Sequence, residues 1–294
     1  PTSQPTHDKE TEMRRLASEV LRDLQLRVAR LERESAKVYT EDMIEREIQN
    51  AGRLSNVDPA LAKYLVEHGD GSQDKIKVRK TKVQAGRLNP SQTSMRLPQS
   101  VSMALGILSG AFDTDLGCII SSDGQIMDGH HRWSAAIIAL GPRVQVGGYV
   151  ADLEGRHLLK VLNIVSKGEF NEMKGKPGSG DITQYTPQAV ENELRKLVLK
   201  GNEYNSPEKV KQLLIDNFGS VEEGIATMSN NVKSMSKEVP SWAPDRSEMP
   251  VIDGKQRTEQ AAKMLNDGEV EWNKPYPSEI RLARRRREQF RRHY

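Results

Sequence analysis

The sequence predicts an α+β protein: a small mixed-sheet domain flanked by a long N-terminal helix and a helical C-terminal region. Three observations lead there. Met13, Leu16, Val20, Leu24, Val28 and Leu31 recur every three or four positions, the period of one helix face. Between Lys75 and Ser166, short apolar runs alternate with helical stretches and turn signals, the pattern of a mixed sheet with helices. From Pro187 to about Val239 the pattern is helical again. The 294 residues allow one to three domains, at roughly 100–200 residues each. The expected divisions are a helical arm over 1–69, an α/β domain over 75–166, a helical region over 187–270 and a basic tail over 271–294.

Element by element, residues 10–39 form one amphipathic helix with Arg and Glu on its other faces. A run of about 28 residues within it, at 1.5 Å per residue, would reach roughly 42 Å, too long for one modest core to cover, so a protein partner or self-association through residues 10–39 is expected. Shorter helices follow over 40–68, one of them starting at Asp58-Pro59, and Gly69-Asp70-Gly71-Ser72 reads as a linker. Ile76, Val78 and Val83 suggest a strand, Asn89-Pro90-Ser91-Gln92 a turn, and Ser100–Leu108 a helix. Cys118-Ile119-Ile120 and Ile126-Met127 read as strands joined by the Asp123-Gly124 hairpin signal. Gly129 opens a helix that Gly141-Pro142 ends, Arg143–Val150 is a strand and His157–Ser166 a helix. Residues 206–235 read helix, turn, helix, but Glu222 and Glu223 open the second helix and would repel phosphates, so packing is the reading adopted for them.

Composition limits the classes. Hydrophobic residues are 36% and aromatic residues 5%, too little for the whole chain to bury itself, so extended or partner-bound flanks are expected. No apolar run approaches the roughly 18 residues of a membrane span. Pro1-Thr2-Ser3-Gln4 lacks the basic start of a signal peptide, and no signal peptide is expected. The single cysteine, Cys118, excludes a disulfide scaffold and a Cys-based zinc site and fits a reducing, cytosol-like compartment. No metal-ligand set is expected.

Charge is uneven. The net charge is +3, yet residues 279–294 carry seven Arg and two Glu, leaving −2 for the rest. Arg284, Arg285, Arg286, Arg287, Arg291 and Arg292 are the candidate nucleic-acid contacts, since such a run neutralises phosphates. A second basic stretch, Lys75–Arg87, alternates like a solvated strand face.

The chemistry concentrates in Ile126-Met127-Asp128-Gly129-His130-His131-Arg132-Trp133-Ser134-Ala135-Ala136. A strand ends, Asp-Gly turns sharply, and a helix begins with two His and an Arg. Free N–H groups and the positive helix end sit at Gly129–Arg132, and Arg132 adds forked donors, which together suit phosphate. Asp128 would cap the helix, orient His131 or bind a metal. The loop Gly175–Gly180 is Gly-rich but lacks the Gly-Lys-Ser/Thr ending of a P-loop. Val251-Ile252-Asp253-Gly254-Lys255-Gln256-Arg257 echoes the motif, but one short echo is cheap by chance and is read as an ordinary turn and cap. Trp242 and Trp272 are expected to anchor extended segments.

Asp-Gly-His-His-Arg-Trp-x-Ala-Ala resembles the signature of the ParB/sulfiredoxin-like superfamily, and is especially similar to phage-type members described as ParB-like nuclease domains. Leu88-Asn89-Pro90-Ser91-Gln92 resembles that family's strand-end turn. The resemblance covers residues 75–165. It implies that Gly129, His130, His131 and Arg132 contact phosphates of a nucleoside triphosphate, ATP or CTP, with or without Mg²⁺. It further implies that Gln92 and Asp128 line the same cleft, with Asp128 and His131 the catalytic candidates. There are departures. His130 stands where sulfiredoxin carries its catalytic Cys, and Gly129-His130-His131-Arg132 replaces the Gly-Glu-Arg-Arg of partition proteins. No Glu between Lys75 and Val150 can serve as the base of the family's serine kinase; Asp113, Asp115, Asp123 and Asp128 are the acids there.

Three functions follow from these readings. The first is a phage-type ParB-like protein that binds nucleotide phosphates at the Gly129–Arg132 helix start, associated with DNA or a DNA-containing assembly. The others are a non-catalytic virion structural or assembly protein and an ATP-dependent small-molecule phosphotransferase. The resemblance places the protein in the host cytoplasm or the virion. If the tail meets DNA, log affinity falls steeply with log salt, with a slope of about −0.9 per phosphate neutralised. Deleting residues 279–294 then flattens that slope in a salt-titrated binding assay. An unchanged slope assigns the tail to another partner.

Overall fold

A computed structural model describes residues 18, 20–21, 39–69, 71, 73–172, 175, 177 and 180–273. Most of the expected helix over 10–39 lies outside them, as do the six tail arginines from Arg284 to Arg292 and several residues of the 175–180 loop; Ser18, Val20 and Leu21 are helical and exposed. The fold is α+β.

Helix α1 (Glu41–Asn50) is followed by α2 (Pro59–Glu67). As expected, Asp58 and Pro59 start α2: the Asp58 carboxylate accepts from Leu61 N–H at 2.9 Å. The sheet comprises β1 (Val78–Gln84), β2 (Asn89–Pro90), β3 (Asp115–Ile120), β4 (Gln125–Asp128) and β5 (Gln145–Ala151), in the order β1-β5-β3-β4-β2. It is mixed: β1–β5 and β3–β4 are antiparallel, β3–β5 and β2–β4 parallel. Asn89-Pro90, expected as a turn, is a two-residue edge strand beside Gln125 and Ile126. Pro90 is tolerated there because an edge asks no outward N–H of it. The basic stretch on β1 is solvated as expected but does not alternate: Arg79, Lys80, Thr81 and Lys82 are exposed in succession.

Helix α3 (Leu97–Leu108) precedes β3, and α4 (His130–Leu140) follows β4 directly. Nearly every residue of α4 is buried, and its small Ser134-Ala135-Ala136 step lets neighbours close in around it. Trp133 is fully buried and donates Nε1–H to Ala85 O at 2.9 Å. Alternate residues of β3, Leu116, Cys118 and Ile120, join the core with α3 and α4. On the other side α5 (Gly155–Gly168) packs on β4 and α2, and α9 (Lys255–Asp267) packs on β1 and β3.

Helices α6 (Pro187–Lys200), α7 (Pro207–Phe218) and α8 (Val221–Asn231) feed Val190, Leu194, Val210, Leu214, Ile225 and Met228 into the same core as Val101, Trp133 and Ile137. The α7–α8 hairpin is therefore a packing element, and Glu222 pairs with Arg195 of α6 at 2.9 Å. The expected divisions at 69/75 and 166/187 do not separate packed units; the described residues from Ile44 onward form one. The reason is physical: a five-stranded sheet covered by α3 and α4 alone would leave α4 half exposed. Gly71 N–H also bonds Gly268 O at 3.2 Å, and Trp272 donates Nε1–H to Asp74 O at 2.7 Å, so the supposed linker is sewn to the C-terminal region. No described helix is long and apolar enough to cross a membrane.

Trp133→Phe removes the Nε1–H donor and one ring of the buried indole, while the Ala85 carbonyl keeps the Leu88 N–H at 3.2 Å. Denaturant unfolding should register a loss of about 1–3 kcal/mol, from the lost hydrogen bond and the small cavity left by the missing ring.

Candidate functional site

At the junction of β4 and α4 lies an open cleft of about 410 Å³. All six residues expected of the site line it: Gln92, Asp128, Gly129, His130, His131 and Arg132. The turn that makes this possible is Gly129, at φ 94°. A Cβ there would sit 2.5 Å from Cys118 Sγ and 3.2 Å from Arg132 Nη2, so only glycine fits both the left-handed conformation and the space. The N-cap is Gly129, which has no side chain to cap with; among the described residues no side-chain hydrogen bond to the amides of His130, His131 and Arg132 is found, while the Gly129 N–H ahead of them meets the Asp128 carboxyl.

The side chains are arranged differently from the sequence expectation. Asp128 does not cap the helix. It pairs with Arg132 one turn on, at 2.7 Å, and Arg132 also donates Nη1–H to Leu116 O at 2.6 Å. Arg132 is thus folded back over the end of the sheet, its fork engaged by protein. Burial holds the Asp128 carboxyl above the usual range; Arg132 opposes this and Asp253 reinforces it.

Both imidazoles act as hydrogen-bond acceptors. His130 Nε2 accepts from Ser91 N–H at 3.1 Å, and His131 Nε2 accepts from Arg96 N–H at 2.9 Å. A ring accepting at Nε2 carries its proton on Nδ1 and is neutral. Burial, then the neighbouring charges of Arg246, Arg96 and Arg132, pull His131 down to about 3, and burial lowers His130 well below its ordinary value. The nitrogen that a catalytic His131 would offer a substrate is committed to the backbone. Cys118 is buried beneath the turn with its thiol pushed up to about 12, so it is no nucleophile.

Comparison with protein-family models, curated proteins and solved structures gave no match.

Two cations that the motif did not reveal complete the cleft. Arg96 precedes α3, and Arg246 opens a short 3₁₀ turn, Arg246–Glu248, before α9; both line it. Their guanidiniums donate to one carbonyl, that of Pro177, at 3.1 and 3.2 Å. Burial, then Arg96, hold Arg246 below its ordinary value. The segment Met249–Gly254 forms the facing wall. The echo motif, expected as a coincidence, therefore shares the site of the first: Asp253 lies within the electrostatic reach of Asp128, and Gly254, also at φ 94°, starts α9 with no side-chain cap. Its Arg257 points elsewhere, to Glu172 at 2.6 Å. Among the described residues no group of three or more His, Cys, Asp or Glu could hold a metal ion. A signal for Arg96 existed, four residues after Gln92 and just before Leu97-Pro98, but nothing local marks Arg246.

Gly129→Ala combines φ strain with the Cys118 overlap, and calorimetry should show a loss of about 2–4 kcal/mol. Adding Cys118→Ala recovers the overlap but not the φ strain. The histidines set a pH dependence. Their folded pKa values lie below the unfolded value, so the unfolded chain binds protons first. The stability they contribute is full above about pH 6.5 and falls as pH drops towards 3, by up to about 1.4 kcal/mol per pH unit for each ring. His131→Gln, which keeps an acceptor but cannot titrate, should show a shallower acid limb in melting temperature.

Proposed function

We propose that this protein is a nucleotide-phosphate-binding module whose anion site is the cleft at the start of α4. One observation carries the reading: the uncapped first turn of α4 and the guanidiniums of Arg96 and Arg246 converge on one cleft. Backbone N–H groups at a helix start, fork donors and partial burial together favour a phosphate over any neutral ligand. The resemblance of Asp128–Ala136 to the ParB/sulfiredoxin-like superfamily supports the same ligand class, ATP or CTP. The neutral, committed His131 and the paired Asp128 favour binding over phosphoryl transfer, since neither is poised as a base. Association with DNA or a DNA-containing assembly belongs to this proposal through the arginines of the tail.

Titration calorimetry with ATP and with CTP, with and without Mg²⁺, tests it. Wild type should bind one of them. Arg96→Ala with Arg246→Ala should weaken binding by about 100-fold or more, at 1.5–3 kcal/mol per charge-assisted hydrogen bond. Full affinity in the double variant would place the nucleotide elsewhere.

A further inference from the structure

We propose that β1 is a docking edge for an extended acidic segment of a protein partner, which adds to the sheet as one more strand. This surface shares no residue with the α4 cleft and does not depend on the phosphate-binding reading. β1 is the outer strand of the sheet and pairs with β5 alone.

The main chain of β1 alternates between bonded and open positions. Lys77 O accepts from Asp152 N–H at 2.8 Å, and beyond the far end Ala85 N–H donates to Val144 O at 2.9 Å. Arg79, Thr81 and Val83 share that phase and turn their amides and carbonyls to β5. Val78 is in the opposite phase, and both its groups meet the carboxamide of Asn266 on α9. Its N–H donates to Oδ1 at 2.7 Å, and its carbonyl accepts from Nδ2 at 3.1 Å. That side chain stands in for a neighbouring strand over one residue. Lys80 and Lys82 share the phase of Val78. Among the described residues nothing bonds to their outward N–H and C=O groups. Past Asn266 the edge therefore presents the donors and acceptors that an added strand reads.

Charge selects the occupant. No acid occurs from Lys75 to Arg87. Successive strand residues point to opposite faces, yet Arg79, Lys80, Thr81 and Lys82 are all exposed. Both faces beside this edge are thus open to water and carry cations, and an apolar strand would find nothing there to bury against. Lys80 is shared with Asp115 at 3.5 Å and Glu259 at 4.0 Å; among the described residues no carboxylate pairs with Arg79 or Lys82. Acidic side chains on an added strand would lie opposite these cations, where cross-strand pairs act. A second copy of this chain does not fit. Antiparallel pairing centred on Thr81 sets Lys80 of each copy against Lys82 of the other, the like-charge contact that keeps edges apart. Phosphates of a nucleic acid would use the cations but offer no donor to the carbonyls of Lys80 and Lys82.

The test is fluorescence anisotropy on the full-length chain with three labelled probes: a peptide of Glu-Thr repeats, the same peptide with every amide N-methylated, and oligothymidylate. The N-methylated peptide keeps the charge and loses every main-chain donor, so the plain peptide should bind about ten-fold tighter or more. Arg79→Glu with Lys82→Glu should remove that binding. Lys82→Pro deletes one outward N–H and no bond to β5, and should weaken the peptide about five-fold beyond Lys82→Gln, which loses the same charge. A thermal melt accompanies each variant, and the two peptides on the wild-type chain decide alone if a variant does not fold. Equal affinity for the two peptides, or binding of neither, overturns the inference. So does undiminished peptide binding in a folded Arg79→Glu, Lys82→Glu variant; oligothymidylate binding lost there instead assigns the edge to nucleic acid.

Discussion

Two backbone amides, those of Ser91 and Arg96, end on the Nε2 atoms of His130 and His131, and the shape of the cleft follows from that arrangement. The chain between β2 and α3 is irregular. The ladder of β2 is only two residues long and cannot satisfy the amides that follow it. Those amides are removed from water and need acceptors. The first turn of α4 supplies them as imidazoles. The cost of the device is that both rings stay neutral. What it gives is rigidity: Gln92 and Arg96 are held at the rim of a helix start that lies some 35 positions away in the chain.

The same junction explains why the most conspicuous cation of the motif is not the one facing the cleft most freely. Gly129 turns closely over Cys118, and Arg132 folds back against the same turn, where Asp128 and the Leu116 carbonyl take up its fork. This closes the end of the sheet and leaves the α4 amides uncovered. The charge that faces a ligand then comes from other parts of the chain, Arg96 and Arg246. The chain thus separates the residues that shape the anion site from those that would hold the anion.

What could be read from sequence was whatever local chemistry decides. Asp58-Pro59, Asp123-Gly124, Gly129 and Gly141-Pro142 mark their turns and caps through backbone preferences that act within a few residues, and each is where it was expected. The cleft itself was legible from Gln92 and the Asp128–Arg132 motif. Asn89-Pro90 was not legible as a strand because its only strand evidence is its neighbour, β4. The roles of His130 and His131 were hidden because their partners, Ser91 and Arg96, are identified only by the fold. The Asp253-Gly254 turn looked like coincidence for the same reason: its proximity to Asp128 is a tertiary fact. The expected break near 166/187 failed because apolar stripes on α6 to α8 name a core without saying whose core it is.

Hydrogen exchange with and without saturating ATP or CTP tests most directly whether the two Asp-Gly turns form one site. Slower exchange on binding is expected at both peptides, 129–134 and 246–258, although more than a hundred residues separate them in sequence. Protection confined to one of the two, or found only elsewhere, would contradict it.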